Sequence, residues 1–497
     1  MIPLSLAEIA EITGGRLVDV PDPNVTVTGS VEFDSRKVTA GGLFLALPGA
    51  RVDGHEHAPG AVAAGAAAVL AARPVGVPAI VVEPLKTESG SYVLEHDTDG
   101  SGAAVLAALS KLARAVVDRL AAQGLTVVGV TGSAGKTSTK DLIASVLEPL
   151  GSVVAPPGSF NNELGHPWTA LRADESTKFL VLEMSARGPG HIAALARTAP
   201  PRIGVELNVG TAHLGEFGSR EGIAQAKGEL VEALPSAADG GVAVLNIDDL
   251  AVAGMASRTT ARVVGAGQSE NAEVRAVDVS LDGNACAKFT LVTPAGSVPV
   301  QLAVSGEHQV GNALCAAAVA LACGATPQQV ADALATAGPK SAHRMDVKTR
   351  ADGVTVINDS YNANPDSMKA ALKALVTMSR ATEPRRKTWA VLGEMAELGD
   401  ESVVEHDAIG RYAVRLDVNR LIVVGTGRPA HAMHQGAVME GSWGNESVLA
   451  ESIDDAIALV RAEVAPGDVV LVKASNSFGM WAVAEALLAD GQPSSGE

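Results

Sequence analysis

The stretch LTVVGVTGSAGKTST, residues 125–139, decides how this 497-residue chain is interpreted. A run of apolar and β-branched residues leads into two glycines, Gly132 and Gly135, and Lys136 and Thr137 follow them. Apolar residues at helical spacing come next. A strand, a glycine-rich loop and a helix in this order predict a phosphate-binding site, because the loop N–H groups and the N-terminal end of the helix both attract anions.

The residues of this loop have separate expected roles. The Lys136 ammonium can reach the terminal phosphates of a nucleotide, and the Thr137 hydroxyl can bind a magnesium ion. The spacing is tighter than in the usual G-x-x-x-x-G-K-[ST] pattern, because Val130 stands where the first glycine would be. The alternative is a glycine turn beside a solvent-exposed lysine. The expected phosphate contacts are Gly132, Ser133, Ala134, Gly135, Lys136, Thr137 and Ser138.

Charge and composition exclude several classes of function. A net charge of −18 argues against a general nucleic-acid binder, since phosphate contacts need clustered lysines and arginines. No run reaches the ~18 apolar residues of a membrane span, and the N-terminus has two glutamates and no basic region of a signal peptide. The three cysteines suit a reducing compartment, because they show neither paired nor metal-binding spacing. We expect a cytoplasmic monomer with no membrane span and no nucleic-acid partner.

The chain length indicates about three domains of an α/β protein. Residues 1–101 predict a small α/β N-terminal domain that ends in a polar linker. Residues 102–340 alternate strand and helix patterns and predict a central parallel sheet of the P-loop type, with a small antiparallel patch where the apolar pattern changes to period two. Residues 341–497 repeat the alternation without a glycine loop, which predicts a Rossmann-like, doubly wound domain that binds one substrate and closes over the ATP domain.

Polar residues at strand ends are the next candidates, because ligands of open parallel sheets bind beyond the carboxyl ends of the strands. Glu183 ends the apolar strand FLVLE, where a carboxylate can hold a magnesium ion that phosphate already contacts. The alternative for Glu183 is a solvated acid. His213 in NVGTAHLGEFG follows another strand, and its position fits a metal or phosphate contact as well as an ordinary core or loop histidine.

Lys227 occupies a core-facing position in a helical stripe of apolar residues, with Ile223 before it and Leu230 after it. An unpaired ammonium is costly to bury, and such lysines respond by losing their charge. One solution is a salt bridge to Glu183, or a side chain that extends to the edge of the domain. The other is carbamylation, in which the neutral amine reacts with carbon dioxide and becomes a carboxylate that could bind a second magnesium ion.

Three further candidates lie later in the chain. Asn312 stands at a helix start, where an amide can read a base or a ribose but can also serve as a helix cap. Arg344, in the connection SAHRMDV, could reach phosphate across a domain cleft. Asp359 ends a strand just before the turn NANP at residues 362–365.

Together these motifs resemble the Mur ligase family, the ATP-dependent, amide-forming enzymes of peptidoglycan precursor synthesis. The similar motifs cover nearly the whole chain and are TGSAGKT, NNELGHP, EMSARGPG, NVGTAHL, AKGEL, LNIDD, GEHQVGN and DSYNANPDSM. DSYNANPDSM is similar to the members that add D-alanyl-D-alanine, and DSR with FLALPGARVDGH is similar to a UDP-binding domain. The resemblance implies a ligase that joins D-alanyl-D-alanine to UDP-N-acetylmuramoyl-tripeptide through an acyl phosphate and uses ATP and two Mg²⁺ ions.

The resemblance also implies roles for individual residues. The catalytic set would be Lys136, Glu183, His213, Lys227 and Arg344. The magnesium ions would be held by Thr137, Glu183, His213 and a carbamylated Lys227. Beyond the phosphate loop, ATP would contact Asn246, Asn312, Arg344 and Asp359. The substrates would contact Ser35, Arg36, His55, Asn161, Asn162, Ser185, Arg187, Asn362 and Asn364.

Three departures from the family pattern concern details of the base and dipeptide contacts and leave the expected reaction class intact. Ser185, Gln309 and Asn476 stand where a glycine, an asparagine and an arginine are common. Two other functions stay open. One is another ligase of the superfamily, either a diaminopimelate- or lysine-adding enzyme or a folylpolyglutamate synthase, against which DSYNANPDSM counts. The other is a P-loop ATPase that drives conformational change, which would turn over ATP without a carboxylate and amine pair.

Overall fold

Three larger sheets and the helices around them form the protein. The computed structural model describes residues 1–49, 52–85, 94–210, 217–441 and 446–490. Each sheet lies inside one of the three ranges expected for domains, and parallel pairs dominate, so the α/β prediction is confirmed. None of the helices in the described ranges has the length and apolar character that a bilayer crossing requires.

The N-terminal part, up to residue 85, builds a five-stranded sheet beside a short two-stranded one. Ser5 and Glu8 form the expected capping box, and Gly14 ends the first helix in the left-handed conformation. The helices are α1 (Leu6–Thr13) and α2 (Ala58–Ala63). The strands are β1 (Leu4–Ser5), β2 (Arg16–Val18), β3 (Thr26–Val27), β4 (Val31–Glu32), β5 (Leu43–Leu45), β6 (Ala68–Ala71) and β7 (Ala79–Val81). The larger sheet has the order β2-β7-β6-β5-β4, and β1 pairs with β3.

The central sheet has nine strands within the described residues. Its strands are β8 (Thr126–Thr131), β9 (Val153–Val154), β10 (Phe179–Glu183), β11 (Ile203–Glu206), β12 (Val242–Asn246), β13 (Arg262–Gly267), β14 (Val274–Leu281), β15 (Cys286–Thr293) and β16 (Gly296–Ser305). Their order is β16-β15-β14-β13-β12-β11-β8-β10-β9. The sheet is parallel from β9 to β14, and β14, β15 and β16 form the expected antiparallel patch. β13, with two glycines, carried no clear strand signal in the sequence.

Nine helices surround this sheet in the described part of the chain. They are α3 (Ser101–Ala121), α4 (Lys136–Leu147), α5 (Gly165–Ala170), α6 (His191–Thr198), α7 (Arg220–Lys227), α8 (Glu229–Glu232), α9 (Leu250–Gly254), α10 (Gln309–Ala322) and α11 (Pro327–Thr336). The 21-residue α3 is buried on two sides, because one hydrophobic cluster joins it to α1 and β6 and also to β8 and β10. The first two sheets therefore share a core across α3.

The C-terminal sheet is doubly wound, as predicted. Its strands are β17 (Asp346–Thr349), β18 (Thr355–Asn358), β19 (Thr388–Leu392), β20 (Arg420–Val424), β21 (Ser447–Ala450) and β22 (Val469–Lys473), in the order β17-β18-β22-β19-β20-β21. Only β17 runs antiparallel to its neighbour among these strands. The helices are α12 (Pro365–Arg380), α13 (Ser402–Arg415), α14 (Arg428–Glu440), α15 (Ile453–Glu463) and α16 (Trp481–Ala489). Two clusters of buried apolar residues cover the two faces of this sheet.

Candidate active site

A cleft of about 1210 Å³ lies between the central and C-terminal sheets. The central side is lined by the loop after β8 and by residues at or just after the carboxyl ends of β10, β11 and β12. The opposite side is lined by the chain around residues 359–373, by residues 396–398 and by residues 473–477. The cleft therefore occupies the position that an open parallel sheet offers to a ligand, facing a second unit that can contact another substrate.

A neighbouring asparagine forms two hydrogen bonds with the backbone of the phosphate loop. Asn208 lies after β11, and its Oδ1 accepts a 2.9 Å hydrogen bond from the Ala134 N–H while its Nδ2 donates to the Ala134 carbonyl at 3.0 Å. Gly135 has a φ of 85°, and a Cβ there would lie 2.7 Å from Oδ1 of Asn312. The glycine is thus required both by its backbone conformation and by the close approach of α10. The predicted nucleotide contact Asn312 packs directly against the loop.

Lys136 begins α4, and its ammonium folds back over the loop. Its Nζ donates a 2.7 Å hydrogen bond to the Gly132 carbonyl. Desolvation lowers the pKa of Lys136 below the ordinary lysine value, and the nearby Glu183 carboxylate opposes that shift. An anion bound by the loop amides would interact with the same Lys136 ammonium that now donates to the Gly132 carbonyl.

A network of hydrogen bonds extends from the Thr137 hydroxyl across the cleft. The Thr137 hydroxyl donates to Oε2 of Glu183 at 3.0 Å, and Nδ2 of Asn161 donates to Oε1 of the same carboxylate at 2.8 Å. Ser159 lies 2.7 Å from the Thr137 hydroxyl and accepts a 2.8 Å hydrogen bond from Nη2 of Arg344. A hydroxyl and a carboxylate beside a phosphate loop are the hard oxygen ligands that Mg²⁺ prefers. Both predicted ligands, Thr137 and Glu183, therefore meet.

The described ranges contain no cluster of three or more histidine, cysteine, aspartate or glutamate side chains that could hold a metal ion. A magnesium ion at Thr137 and Glu183 would thus complete its coordination with phosphate oxygens and water, as this small ion usually does.

Lys227 is buried at the end of α7, with 5% of its surface exposed. The carboxylate that acts on it is Glu206 at the end of β11, whereas among the described residues Glu183 bonds to Thr137 and Asn161 and forms no ion pair with Lys227. The expected salt bridge to Glu183 is therefore wrong. Burial lowers the pKa of Lys227 to about 7, and burial raises the pKa of Glu206 well above its usual range.

Asp359, for which the family resemblance implies a contact with ATP, forms several hydrogen bonds within the C-terminal wall. Asp359 accepts a 3.0 Å hydrogen bond from the Met345 N–H on Oδ1 and a 2.6 Å bond from Nζ of Lys473 on Oδ2. Lys473 also donates to the Asn362 carbonyl at 2.7 Å. Asn364 caps α12 by accepting from the Ser367 N–H. Asp359, Asn362 and Asn364 line the cleft, yet much of their bonding capacity already stabilises the wall itself.

The structure brings most of the predicted residues to the cleft. The six described ones outside its lining are Ser35, Arg36, His55, Gly132, Asn162 and Lys227. Ser138, Ser185, Arg187, Asn246 and Arg344 line it, together with most of the loop residues. Asn162 caps the start of α5, and Ser35 and Arg36 lie on an N-terminal turn where Arg36 pairs with Asp34. His55 is buried, with Nδ1 2.7 Å from Asp53 and Nε2 accepting from the Ala72 N–H, so both ring nitrogens have protein partners. His213 lies outside the described residues.

Three residues of this region were not singled out from the sequence. Ser159 carries no pattern that separates it from an ordinary loop serine. Glu206 interrupts the apolar run IGVEL in the same way that Lys227 interrupts its helical stripe, so the same reasoning would have found it. Lys473 likewise ends the apolar strand VVLVK, a charged residue at the carboxyl end of a buried strand.

Comparison with protein families places these residues in a known context. The Mur ligase middle domain matches residues 130–320, the Mur ligase glutamate ligase domain residues 343–476, and the Mur ligase family catalytic domain residues 28–113. The chain is also 62% identical, over 99% of its length and 98% of theirs, to the UDP-N-acetylmuramoyl-tripeptide–D-alanyl-D-alanine ligases of Mycobacterium bovis and Mycobacterium tuberculosis. The chain belongs to the Mur ligase family.

More distant Mur ligases give the same result. The Escherichia coli UDP-N-acetylmuramoyl-tripeptide–D-alanyl-D-alanine ligase is 32% identical, over 99% of this chain and all of that protein. A crystal structure of MurF from Acinetobacter baumannii superimposes with a TM-score of 0.81 at 28% identity, covering 98% of this chain and 99% of the other. MurF ligase from Thermotoga maritima in complex with ADP gives a TM-score of 0.75 at 28% identity, over 93% and 98% of the two chains. The Mur ligase fold thus extends over the whole chain.

Proposed function

We propose that this Mur ligase joins D-alanyl-D-alanine to UDP-N-acetylmuramoyl-tripeptide, with release of ADP and phosphate, and so forms the pentapeptide precursor of peptidoglycan. The observation that carries the proposal is the 62% identity, over nearly full length, to ligases named for this reaction. The cleft supports it, because a phosphate loop and a carboxylate on one side face a second wall that can receive an amine.

The first chemical step is the attack of the tripeptide carboxylate on the γ-phosphate of ATP, which gives an acyl phosphate and ADP. Two unit like charges ~4 Å apart repel by about 4 kcal/mol at an effective dielectric constant of 20, and phosphate carries more than one charge. Lys136 and Arg344 offset this repulsion from two directions, since Lys136 covers the loop and Arg344 reaches Thr137 at 3.3 Å from the opposite wall.

The residues present fit a magnesium ion held by Thr137 and Glu183. When bound, such an ion neutralises charge on the transferring phosphoryl group. Asn161 orients the Glu183 carboxylate by its 2.8 Å bond to Oε1, which leaves Oε2 toward Thr137. His213 is proposed as a further ligand.

Carbamylation of Lys227 is the second part of this proposal. A lysine reacts with carbon dioxide only as the neutral amine, and the burial of Lys227 favours that form. Both carboxylate oxygens of the neighbouring Glu206 lack a hydrogen-bond partner among the described residues, so no local bond holds Lys227 as an ammonium. The carbamate would supply a carboxylate for a second magnesium ion.

In the second chemical step, the amine of D-alanyl-D-alanine attacks the acyl carbon, forms the amide bond and expels phosphate. Closure of the two walls excludes water, which would otherwise hydrolyse the acyl phosphate. Asn161, Ser185 and Arg187 face the muramoyl peptide, and Ser35 and Arg36 are proposed for the uridine diphosphate end together with His55. Asn246 and Asn312 are proposed for the adenosine. A cytoplasmic location and a monomeric state stay predictions.

A product assay tests the proposal. The protein is incubated with ATP, magnesium, UDP-N-acetylmuramoyl-tripeptide and D-alanyl-D-alanine, and the product mass and released phosphate are measured. We expect the pentapeptide product, almost no phosphate release when either substrate is omitted, and no ligation by a folded Lys136→Ala variant. Phosphate release independent of the substrates would indicate a non-synthetic ATPase, and near-normal turnover of Lys136→Ala would contradict the assignment of the loop.

A further inference from the structure

We propose that Lys369 and Lys373 on α12 hold the free carboxylate of the incoming D-alanyl-D-alanine and thereby select a dipeptide with a charged terminus. The inference rests on the proposed function and adds the residues that recognise its second substrate. Both lysines line the C-terminal wall of the cleft. They are four positions apart in one helix, so they lie on the same side of α12.

The other cations of the cleft are already engaged by protein groups. These are Lys136 on the Gly132 carbonyl, Arg187 with Glu397, Arg220 with Asp249, Arg344 on Ser159, and Lys473 with Asp359. Lys369 and Lys373 have no ion pair or hydrogen bond to any residue that the structure describes. In a chain with a net charge of −18, two adjacent cations without a carboxylate partner form a local site of the sign that an incoming carboxylate requires.

Their direction follows from the packing of α12. Met368, Leu372 and Leu375 fill the core beneath the C-terminal sheet, which turns Lys369 and Lys373 away from that core. Two lysines on an exposed helix face need no ligand to explain them, because lysines are common on surfaces that face only solvent. Here, however, the side that carries them is the side that bounds the cleft.

The length of the substrate matches the distance along the helix. Asp366 in the first turn of α12 contacts the loop at Gly210, and the Gly210 N–H donates to Ser133 of the phosphate loop at 2.9 Å. Lys369 and Lys373 lie about 4.5 and 10.5 Å farther along the helix axis at 1.5 Å per residue. An extended dipeptide spans about 7 Å. An amine beside Asp366, next to the phosphate loop, therefore leaves the terminal carboxylate within reach of both flexible lysine side chains.

The surface beside the lysines suits two methyl groups. Ala370 lies between them on α12, and Ala396 and Leu398 also line the cleft with short or buried apolar groups. A dipeptide of two alanines has only methyl side chains to place, so cations for its carboxylate and a shallow apolar wall meet its requirements.

The test measures the KM for D-alanyl-D-alanine and for its C-terminal carboxamide in Lys369→Met, Lys373→Met and the double variant. A hydrogen bond to a charged group contributes about 1.5–3 kcal/mol, or about 10- to 150-fold in binding. We expect the double variant to show a rise of at least tenfold in the dipeptide KM, unchanged KM for ATP and for the UDP-linked peptide, and loss of the preference for the carboxylate over the carboxamide. The double Lys→Arg variant should keep that preference.

Lys348→Met serves as the matched control, because Lys348 is an exposed lysine of the same domain that pairs with Asp346 and is not part of the cleft lining. Circular dichroism and the melting temperature verify folding. A double methionine variant that retains the wild-type KM for the dipeptide and the wild-type discrimination against the carboxamide would overturn the inference. If the unmodified protein forms no amide with D-alanyl-D-alanine at all, the proposed function fails and this assignment fails with it.

Discussion

Lys473 and Asp359 form a buried ion pair, with Nζ and Oδ2 2.6 Å apart, that ties the end of β22 to the residue just after β18. Oδ1 of the same aspartate accepts the Met345 N–H, so the pair also supports the backbone next to Arg344. Arg344 in turn reaches Ser159 on the central wall. The pair therefore stabilises one domain and places a cation against the other.

Loss of the lysine should destabilise the C-terminal part strongly. Lys473→Met leaves Asp359 buried without its counterion, and breaking a buried pair in this way costs about 3–5 kcal/mol. Urea unfolding, followed by a probe in this domain, measures the change. Lys348→Met is the control, because its exposed pair with Asp346 should contribute at most about 1 kcal/mol. Equal effects of the two substitutions would show that the buried pair has no special role.

Two left-handed residues flank Arg344, which makes its backbone unusual. His343 has a φ of 59° and Met345 a φ of 48°, a conformation that costs L-residues roughly 1–2 kcal/mol each. His343→Gly should therefore retain kcat within about threefold despite the lost ring stacking on Trp481, whereas the β-branched His343→Val should lower kcat at least tenfold. Steady-state kinetics of the two variants decide, and a glycine variant no better than the valine variant would show that the ring, not the backbone, positions Arg344.

Lys227→Ala should be inactive in ligation, and short-chain carboxylates such as acetate should partly restore it, because they replace the carboxylate that a carbamylated Lys227 supplies. Lys136→Ala provides the control, since an added carboxylate cannot replace an ammonium. The native protein should show the mass of one added carbon dioxide on Lys227 under conditions that preserve carbamates. An unmodified and fully active lysine would contradict carbamylation.

His166 in α5 predicts a specific dependence of stability on pH. The ring is fully buried, and burial lowers its pKa to about 4 from the ordinary value of 6.5. Between these two pH values the unfolded chain binds more protons than the folded one, so the free energy of unfolding falls as the pH drops from 6.5 toward 4, by roughly 3 kcal/mol in total. In His166→Gln the free energy of unfolding should no longer show this dependence on pH. Chemical unfolding of both proteins at several pH values measures the difference. If the variant keeps the same dependence of its unfolding free energy on pH, groups other than His166 are responsible for it.

Strong local patterns predicted most of the fold. The capping box of α1, the continuous apolar runs of β8, β10 and β12 and the alternating pattern of the antiparallel patch are each contained in a short window of sequence. β13, β17 and β21 were not identified, because short strands with glycines or polar residues show no such period. Pairing with their neighbours, which is parallel for β13 and β21 and antiparallel for β17, places them in the sheets more than their own propensity does.

The sequence by itself determined the phosphate loop, because the strand, glycines, lysine and helix that make it are contiguous and their geometry follows from local backbone preferences. Only the tertiary structure decided what those residues face. Asp359 and Lys473 are 114 positions apart, Arg344 and Ser159 are 185 apart, and Lys227 meets Glu206 rather than Glu183. Such pairs depend on how sheets and helices pack, and a pattern within a short window carries no information about which distant charge will be buried beside which.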